Sequence, residues 1–241
     1  MLCFHCTQAA CDALASIFKG HTESWLDQTS LPDNDSGWHW QLHAVKISRK
    51  LVFVAMEHET RYAMVFWGLK KGDGETLINL FFERLVNHLL LLTQISTIVD
   101  DSHAHKLVGN LLEANRAFNF QPGSDRSVQT HINEVVHMCR YDVSDHGSLP
   151  DNRAEAAGFE AKLNQTLRSV RGGKYFQPDE ALLLKALRLF AGFDAYQLRQ
   201  VSASLQVVRR QRWASLMQDA EASDATEGSS PSLLKRSSTM H

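Results

Sequence analysis

The fold is decided by residues 38–69, which read WHWQLHAVKISRKLVFVAMEHETRYAMVFWGL. Residues 38–47 alternate apolar and polar side chains over part of their length, and residues 51–56 and 61–69 are almost continuously apolar. Alternation is typical of a strand with one solvated face, and a short apolar run is typical of a strand buried on both faces. Because the links 48–50 and 57–60 are short enough for hairpins, the stretch predicts an antiparallel meander of three strands.

The flanking sequence adds one strand and a series of helices. Residues 2–6 predict a short strand, and Thr7 can cap a helix that runs through Leu14 and Ile17 to Gly20. Turn-forming residues predict a loop over 21–37. The predicted fold class is α+β: a short antiparallel sheet, made of the N-terminal strand and the meander, packed by several helices, with a helical C-terminal half. Helical spacing predicts helices over 75–94, 103–117 (capped by Asp101 or Ser102), 128–141 and 155–167, and helices beginning at Pro178 and near Ala195.

Composition divides the chain into three parts. Of its 241 residues 44% are hydrophobic and 22% are charged, a balance that excludes disorder of the whole chain. We expect one α+β domain over residues 1–190, an appended basic helix over 191–217 and a disordered tail over 218–241. The tail is predicted because its residues are mostly small or polar, with few apolar groups to bury.

Charge and cysteine usage limit the possible partners. The net charge of −2 provides no global basic field, so any nucleic acid has to be bound locally. The four cysteines lack the spacing of a disulfide framework, and no secretory signal or apolar run of about 20 residues is present. We therefore expect a cytoplasmic protein with reduced thiols and no membrane partner.

Two groups of residues resemble metal or acid–base sites. Cys3, His5, Cys6 and Cys11 are suitable zinc ligands, but alternation along a strand turns Cys6 away from Cys3 and His5. We therefore expect buried core thiols, no metal and no cofactor. Residues 57–59, Glu-His-Glu, supply acid and base types, but in a hairpin turn they are typical of a solvated loop.

The start of the helix near residue 126 is the favoured ligand-binding candidate. Arg126 and Ser127 lie where unpaired backbone N–H groups and the helix dipole favour an anion, such as a phosphate or a carboxylate. The alternative is structural, with Ser127 as the N-cap and Arg126 paired to a nearby acid or carbonyl. The full candidate set is Arg126, Ser127, Asn133, His137 and Arg140.

The last helix is a candidate nucleic-acid surface. It contains four arginines and a tryptophan before the first acidic residue, Asp219. Basic side chains beside an aromatic ring suit a phosphate backbone and stacked bases. The alternative is a solvated face, or pairing with the protein's own acidic tail. The candidate residues are Arg199, Arg209, Arg210, Arg212 and Trp213.

Several stretches together resemble one known family. They are LCFHCTQ (2–8), WHWQLHAVKISRKLVFV (38–54), DRSVQTHINE (125–134) and Leu163-Asn164-Gln165-Thr166. They are similar to a bacterial family, domain of unknown function 6933, over about residues 2–190. The resemblance implies one α+β domain and brings no reaction, substrate or cofactor. The family tends to have Gly-Ser-Met-Asn-Asp after Arg-Ser-Val-x, whereas this chain has Thr130 to Glu134, which puts in doubt any close backbone approach to a ligand there.

Two functional hypotheses follow from these patterns. The first is a non-catalytic binding or regulatory module that recognises a protein or nucleic-acid partner through the Arg126 helix start and the basic last helix. The alternative is an enzyme acting on a phosphate-containing substrate, with Arg126 as anion binder and His131 or His137 as acid or base. No Gly-rich phosphate loop, His-Glu-x-x-His helix or Gly-x-Ser-x-Gly elbow occurs in the sequence.

Overall fold

The α+β class is confirmed by the computed structural model, which describes residues 1–18, 21–27, 37–150, 152–170 and 172–227. These residues form a mixed sheet of five strands in the order β6-β5-β4-β1-β7, and a separate hairpin of β2 and β3. The strands are β1 (Leu2–Cys6), β2 (Ala15–Phe18), β3 (His21–Ser24), β4 (Trp38–Ile47), β5 (Lys50–Glu57), β6 (Ala63–Trp67) and β7 (Phe118–Pro122).

The prediction of a wholly antiparallel sheet is wrong. β4 pairs antiparallel with β5, and β5 with β6, but β1 lies between β4 and β7 and is parallel to both. β7 was not predicted, because residues 121–124 have the composition of a turn. A hydrophobic pattern identifies a strand but carries no information about the direction of its neighbour, so the parallel pairings could not be derived from it.

The helices follow the predicted order with shifted ends. α1 is capped by Thr7, whose Oγ1 accepts a hydrogen bond from the N–H of Ala10. The predicted continuation of α1 to Gly20 is wrong, since residues 15–18 form β2. The N-cap of α3 is Asp100 and not Asp101 or Ser102. The helices are α1 (Gln8–Leu14), α2 (Gly74–Ser96), α3 (Asp101–Ala114), α4 (Arg126–His146), α5 (Arg153–Gln165), α6 (Pro178–Ala186), continued by a π-helical turn (Leu187–Ala191), and α7 (Ala195–Glu227).

The predicted loop and tail are only partly covered by the structure. Of the predicted loop, residues 21–24 form β3, and residues 28–36 lie outside the described residues. The helix α7 is described to Glu227 and so overlaps the first ten residues of the predicted tail, whose boundary at residue 218 stays a prediction. Residues 228–241 of the tail lie outside the described part of the chain. None of the helices in the described ranges combines the length and apolarity needed to cross a membrane.

Buried apolar residues lie on both faces of the sheet. On the first face Phe4, Trp40 and Phe120 pack with α2, α3, α6 and the start of α7, where Val201 and Leu205 are buried. On the second face residues of β5 and β6 pack with α4 and α5. On the second face α4 and α5 thus cover β5 and β6. The polar residues described below lie on the β1 side of this face.

Side chains from two helices cap the edge strand β6. The N–H of Ala63 donates to Oδ1 of Asn164 at 2.7 Å, and Nδ2 of Asn164 donates to the carbonyl of Ala63 at 2.8 Å. Glu160 Oε1 accepts from the N–H of Val65 at 2.8 Å, and Arg84 Nη1 donates to the carbonyl of Val65 at 2.9 Å. An edge strand otherwise presents unpaired backbone groups, so these side chains take the place of a neighbouring strand.

The stability of this fold should depend on the protonation of His88. His88 lies on α2 with its ring 5.0 Å from that of Tyr62, and burial lowers its pKa to about 4. Below about pH 6.5 the unfolded chain binds a proton that folded His88 does not, so stability falls as the pH decreases from about 6.5 to about 4. Between pH 7 and pH 5 we expect this histidine to contribute a loss of about 2 kcal/mol.

Urea unfolding at the two pH values tests this expectation. His88→Phe should remove its share of the loss, whereas Leu91→Phe, at an exposed position without a titratable group on the same helix, should leave the pH dependence unchanged. An equal loss of stability in wild type and His88→Phe would show that His88 is not the titrating group.

Candidate metal site

A row of polar side chains crosses the second face of the sheet. Because side chains alternate along a strand, Cys3 and His5 share one face of β1. Parallel pairing puts Cys3 beside His39 and His5 beside Gln41 of β4. The N–H of His58, directly after β5, donates to the carbonyl of His39 at 3.0 Å. The row therefore combines residues from β1, from β4 and from the end of β5.

Three side chains of this row form a potential metal site. The thiol of Cys3 and the imidazoles of His5 and His39 offer ligand atoms that all lie within 4.8 Å of one another. His5 Nε2 and His39 Nδ1 are 3.0 Å apart. In a tetrahedral zinc site the ligand atoms are roughly 3.3–3.8 Å apart, so a shift of about 1 Å suffices for coordination. Cys3 is buried and both histidines are half-buried, which leaves the imidazole side open to solvent.

His58 stands beside these three residues. Its ring centroid lies 5.0 Å from that of His5 and 6.3 Å from that of His39. Burial and the neighbouring His5 lower the pKa of His58 to about 4, so its imidazole is neutral at pH 7. Three protein ligands leave a fourth tetrahedral position for water or a substrate atom. A neutral imidazole at this place can coordinate the ion or accept a proton from such a water.

The residues around His5 fix the position of its ring. Gln121 Nε2 lies 3.3 Å from His5 Nδ1. An imidazole that binds a metal through Nε2 carries a proton on Nδ1, and the amide oxygen of Gln121 is the acceptor for that proton once the amide is turned. A Cβ on Gly123 would lie 3.3 Å from His5 Nδ1, so glycine lets the chain after β7 pack closely against the ring.

The cluster differs from the set considered in the sequence. Cys6 lies in the core of the opposite face, as alternation along β1 predicts, and Cys11 of α1 is buried in the same core. At Cys3, the expectation of no metal rests on the residues close to it in sequence, whereas the third ligand atom comes from His39 on another strand. The alternation of side chains in β4 puts His39 and His43 on one face of the strand. This pattern identifies His39 as a partner of Cys3 and His5 only when β4 is known to lie beside β1.

The predicted anion site at α4 has a different arrangement from the one expected. α4 begins at Arg126, but its N-cap is Asp125, whose Oδ1 accepts from the N–H of Val128 at 2.9 Å. The alternative in which Ser127 caps the helix is therefore wrong. Ser127 Oγ instead accepts a hydrogen bond from Arg61 Nη2 at 3.0 Å. Arg61 was not predicted as a site residue.

The remaining exposed α4 candidates share one face of the helix, but Arg126 lies apart from the others. Arg126 and His137 are eleven residues apart, about 16 Å along the helix axis. His131 lies on another face, half-buried, with Nε2 at 3.2 Å from the carbonyl of Ser169. The structure thus does not bring Arg126 and either histidine into one pocket of the described residues. The exposed face carries Arg126, Asn133, His137 and Arg140.

One of the candidate arginines of α7 has a structural partner. Arg209 is half-buried, bonds Asp179 at 2.8 Å and also pairs with Glu180, so it fastens α7 to α6. The other candidates are exposed: Arg199, Arg210, Arg212 and Trp213, whose exposed fraction is 67%. Of these, Arg210 and Trp213 are three residues apart and are neighbours on the helix surface, whereas Arg199 lies eleven residues before Arg210.

The turn at residues 57–60 is not a solvated loop throughout. Glu57 is fully buried, and its carboxylate accepts hydrogen bonds from Lys185 Nζ at 2.8 Å and from the N–H and Oγ1 of Thr60 at 2.6 and 2.7 Å. Glu59 is exposed. The prediction of a solvated turn is therefore wrong for Glu57. The sequence of the turn does not indicate that Lys185 of α6 contacts this carboxylate.

Comparison with known proteins gives one relation. No protein of curated function and no solved structure matches the chain. One family model matches residues 3–181, which include the cluster at β1 and β4, the start of α4 and the Asn164 contact with β6. The chain therefore belongs to the family described as Domain of unknown function (DUF6933).

Proposed function

We propose that the protein binds a divalent transition-metal ion, zinc in the first instance, between Cys3, His5 and His39. The observation that carries the proposal is the separation of at most 4.8 Å among their three ligand atoms. A thiolate with two imidazoles is a donor set that suits zinc, whereas calcium and magnesium prefer oxygen ligands. The buried Cys3 anchors the set, and the half-buried histidines can close on an ion that enters from solvent.

Zinc titration of the metal-depleted full chain, in competition with a chromophoric chelator, tests this proposal. We expect one zinc ion per chain. Replacing His39 by Ala should weaken zinc binding at least about 100-fold, because it removes a direct ligand and not merely a supporting contact. Replacing the exposed His137 by Ala is the matched control and should leave the affinity within about twofold.

Either of two results would contradict the proposal. One is a dissociation constant for zinc above about 0.1 mM in the wild type, because a site with three protein ligands should bind zinc more tightly than this. The other is equal weakening in the His39→Ala and His137→Ala variants, which would indicate adventitious binding by surface histidines.

A second candidate function is nucleic-acid binding by α7. It is supported by the exposure of Arg199, Arg210 and Arg212 and of the ring of Trp213, which lies three residues from Arg210 on the helix surface. No acidic residue occurs between Ala195 and Gln218, so nothing within this stretch neutralises the arginines. Arginines with an exposed aromatic ring can contact the phosphates and stack on the bases of a single strand.

Binding of a fluorescent single-stranded oligonucleotide across a salt series tests the second candidate. Arg210→Gln should weaken binding and reduce the slope of log affinity against log salt by about 1, whereas Arg188→Gln, at an exposed arginine of the π-helical turn, should not. No binding by wild type at low salt, or equal effects of the two variants, would rule it out.

A further inference from the structure

Arg61 directs a buried guanidinium group at the first turn of α4. It is only 4% exposed, although it follows a turn, and its backbone adopts a left-handed φ of 55°, which is uncommon for a residue with a side chain. Nη2 donates to Ser127 Oγ at 3.0 Å. No acceptor among the described residues hydrogen-bonds to the buried Nε and Nη1. Burial also lowers the pKa of Arg61, as expected for a charged group with little solvation.

A second buried arginine also contacts α4, at a position further along the helix. Arg168 is 3% exposed, and its Nη1 donates to Glu134 of α4 at 3.0 Å. Its Nε and Nη2 are also buried, and they have no hydrogen-bond acceptor within the described ranges. The charge of Arg61 contributes to lowering the pKa of Arg168, after the larger effect of burial. Arg61 and Arg168 thus each have two buried guanidinium nitrogens without an acceptor among the described residues, Arg61 at the first turn of α4 and Arg168 about 10 Å further along the helix.

The nearby carboxylates have other hydrogen-bond partners. Asp125 and Glu57 both act on Arg61 electrostatically, but Asp125 caps α4 through the N–H of Val128, and Glu57 binds Lys185 and Thr60. Leaving a buried polar group without a partner costs about 1–3 kcal/mol, and more for a charged group. Buried donors of this kind call for a water, an ion or a ligand atom.

We infer that Arg61 and Ser127 form an oxyanion site at the start of α4, which takes a phosphate group. Guanidinium groups bind phosphate through paired N–H donors, and the N-terminus of a 21-residue helix adds a favourable dipole. The site goes beyond metal binding and does not depend on it.

Isothermal titration of the full chain with inorganic phosphate, at constant ionic strength and without metal, tests the inference. Wild type should bind one phosphate. Arg61→Lys should weaken binding at least tenfold, because lysine keeps the charge but cannot form the paired N–H contact. Arg126→Lys is the matched control on the same helix turn, and since Arg126 is exposed it should change the affinity less than twofold.

Other outcomes would overturn the inference. One is absence of phosphate binding by metal-free wild type. Another is equal loss in Arg61→Lys and Arg126→Lys, which would place the anion on the helix exterior. A third is phosphate binding that requires zinc and disappears in His39→Ala, which would place the anion on the metal. If Arg61→Lys does not fold, Ser127→Ala replaces it in the test, because Ser127 is exposed. A phosphate affinity of Ser127→Ala equal to that of wild type would contradict the site.

Discussion

Replacing Lys185 by Met should lower the free energy of unfolding by about 3 to 5 kcal/mol. Lys185 Nζ lies 2.8 Å from the carboxylate of Glu57, which is fully buried, and 3.0 Å from that of Glu59. The variant leaves the charge of Glu57 in the interior with only the hydrogen bonds of its own turn. Chemical unfolding by guanidinium chloride, followed by circular dichroism, measures the difference.

The control for this prediction is Lys162→Met, at an exposed lysine in the last turn of α5. A surface substitution of this kind should change stability by less than about 0.5 kcal/mol. In the double variant Glu57→Gln with Lys185→Met the buried charge is gone, so part of the stability should return. A Lys185→Met variant as stable as Lys162→Met would show that the buried pair does not stabilise the fold.

Replacing Asn164 by Leu should lower the free energy of unfolding by about 4 kcal/mol, because two backbone groups of β6 lose their hydrogen-bond partners in a buried place. Asn164 is fully buried and bonds both the N–H and the carbonyl of Ala63. For a chain of this size the melting temperature should fall by about 8–16 °C. Differential scanning calorimetry measures it.

The neighbouring Gln165 provides the comparison for Asn164. It is exposed on the same turn of α5, so Gln165→Leu adds an equal side chain without removing a backbone partner. A similar melting temperature for Asn164→Leu and Gln165→Leu would mean that the amide does not cap β6. The contacts of Asn164 with β6 give the segment from Leu163 to Thr166, which is part of the family resemblance, a structural role in this fold.

The fold could be predicted from sequence where one local pattern decides the structure. The strands over residues 38–69, the helix from Gly74 and the cap at Thr7 all depend on periodicity or on a few adjacent residues. The parallel position of β1 could not be predicted, because its neighbours are brought by distant segments of the chain. β7 was missed because the composition of its end resembles a turn.

The candidate sites were harder to predict for the same reason. Ligand types at Cys3 and His5 were visible, but their partner His39 depends on the register between two strands. The helix predicted over 128–141 begins at Arg126 in the structure, and the buried arginine beside its start, Arg61, comes from the turn after β5. Apolar residues on both sides of a turn do not indicate which charged side chain of that turn is buried. The sequence therefore could not identify Glu57 or Arg61 as buried.

The most direct test of metal binding is the visible absorption spectrum of the full chain titrated with cobalt(II). We expect one equivalent to give the intense bands of a four-coordinate ion, with a thiolate charge-transfer band that disappears when Cys3 is replaced by Ser. These features would place the metal on the sheet at β1. The weak spectrum of hydrated six-coordinate cobalt, or an intense spectrum that Cys3→Ser leaves unchanged, would contradict it.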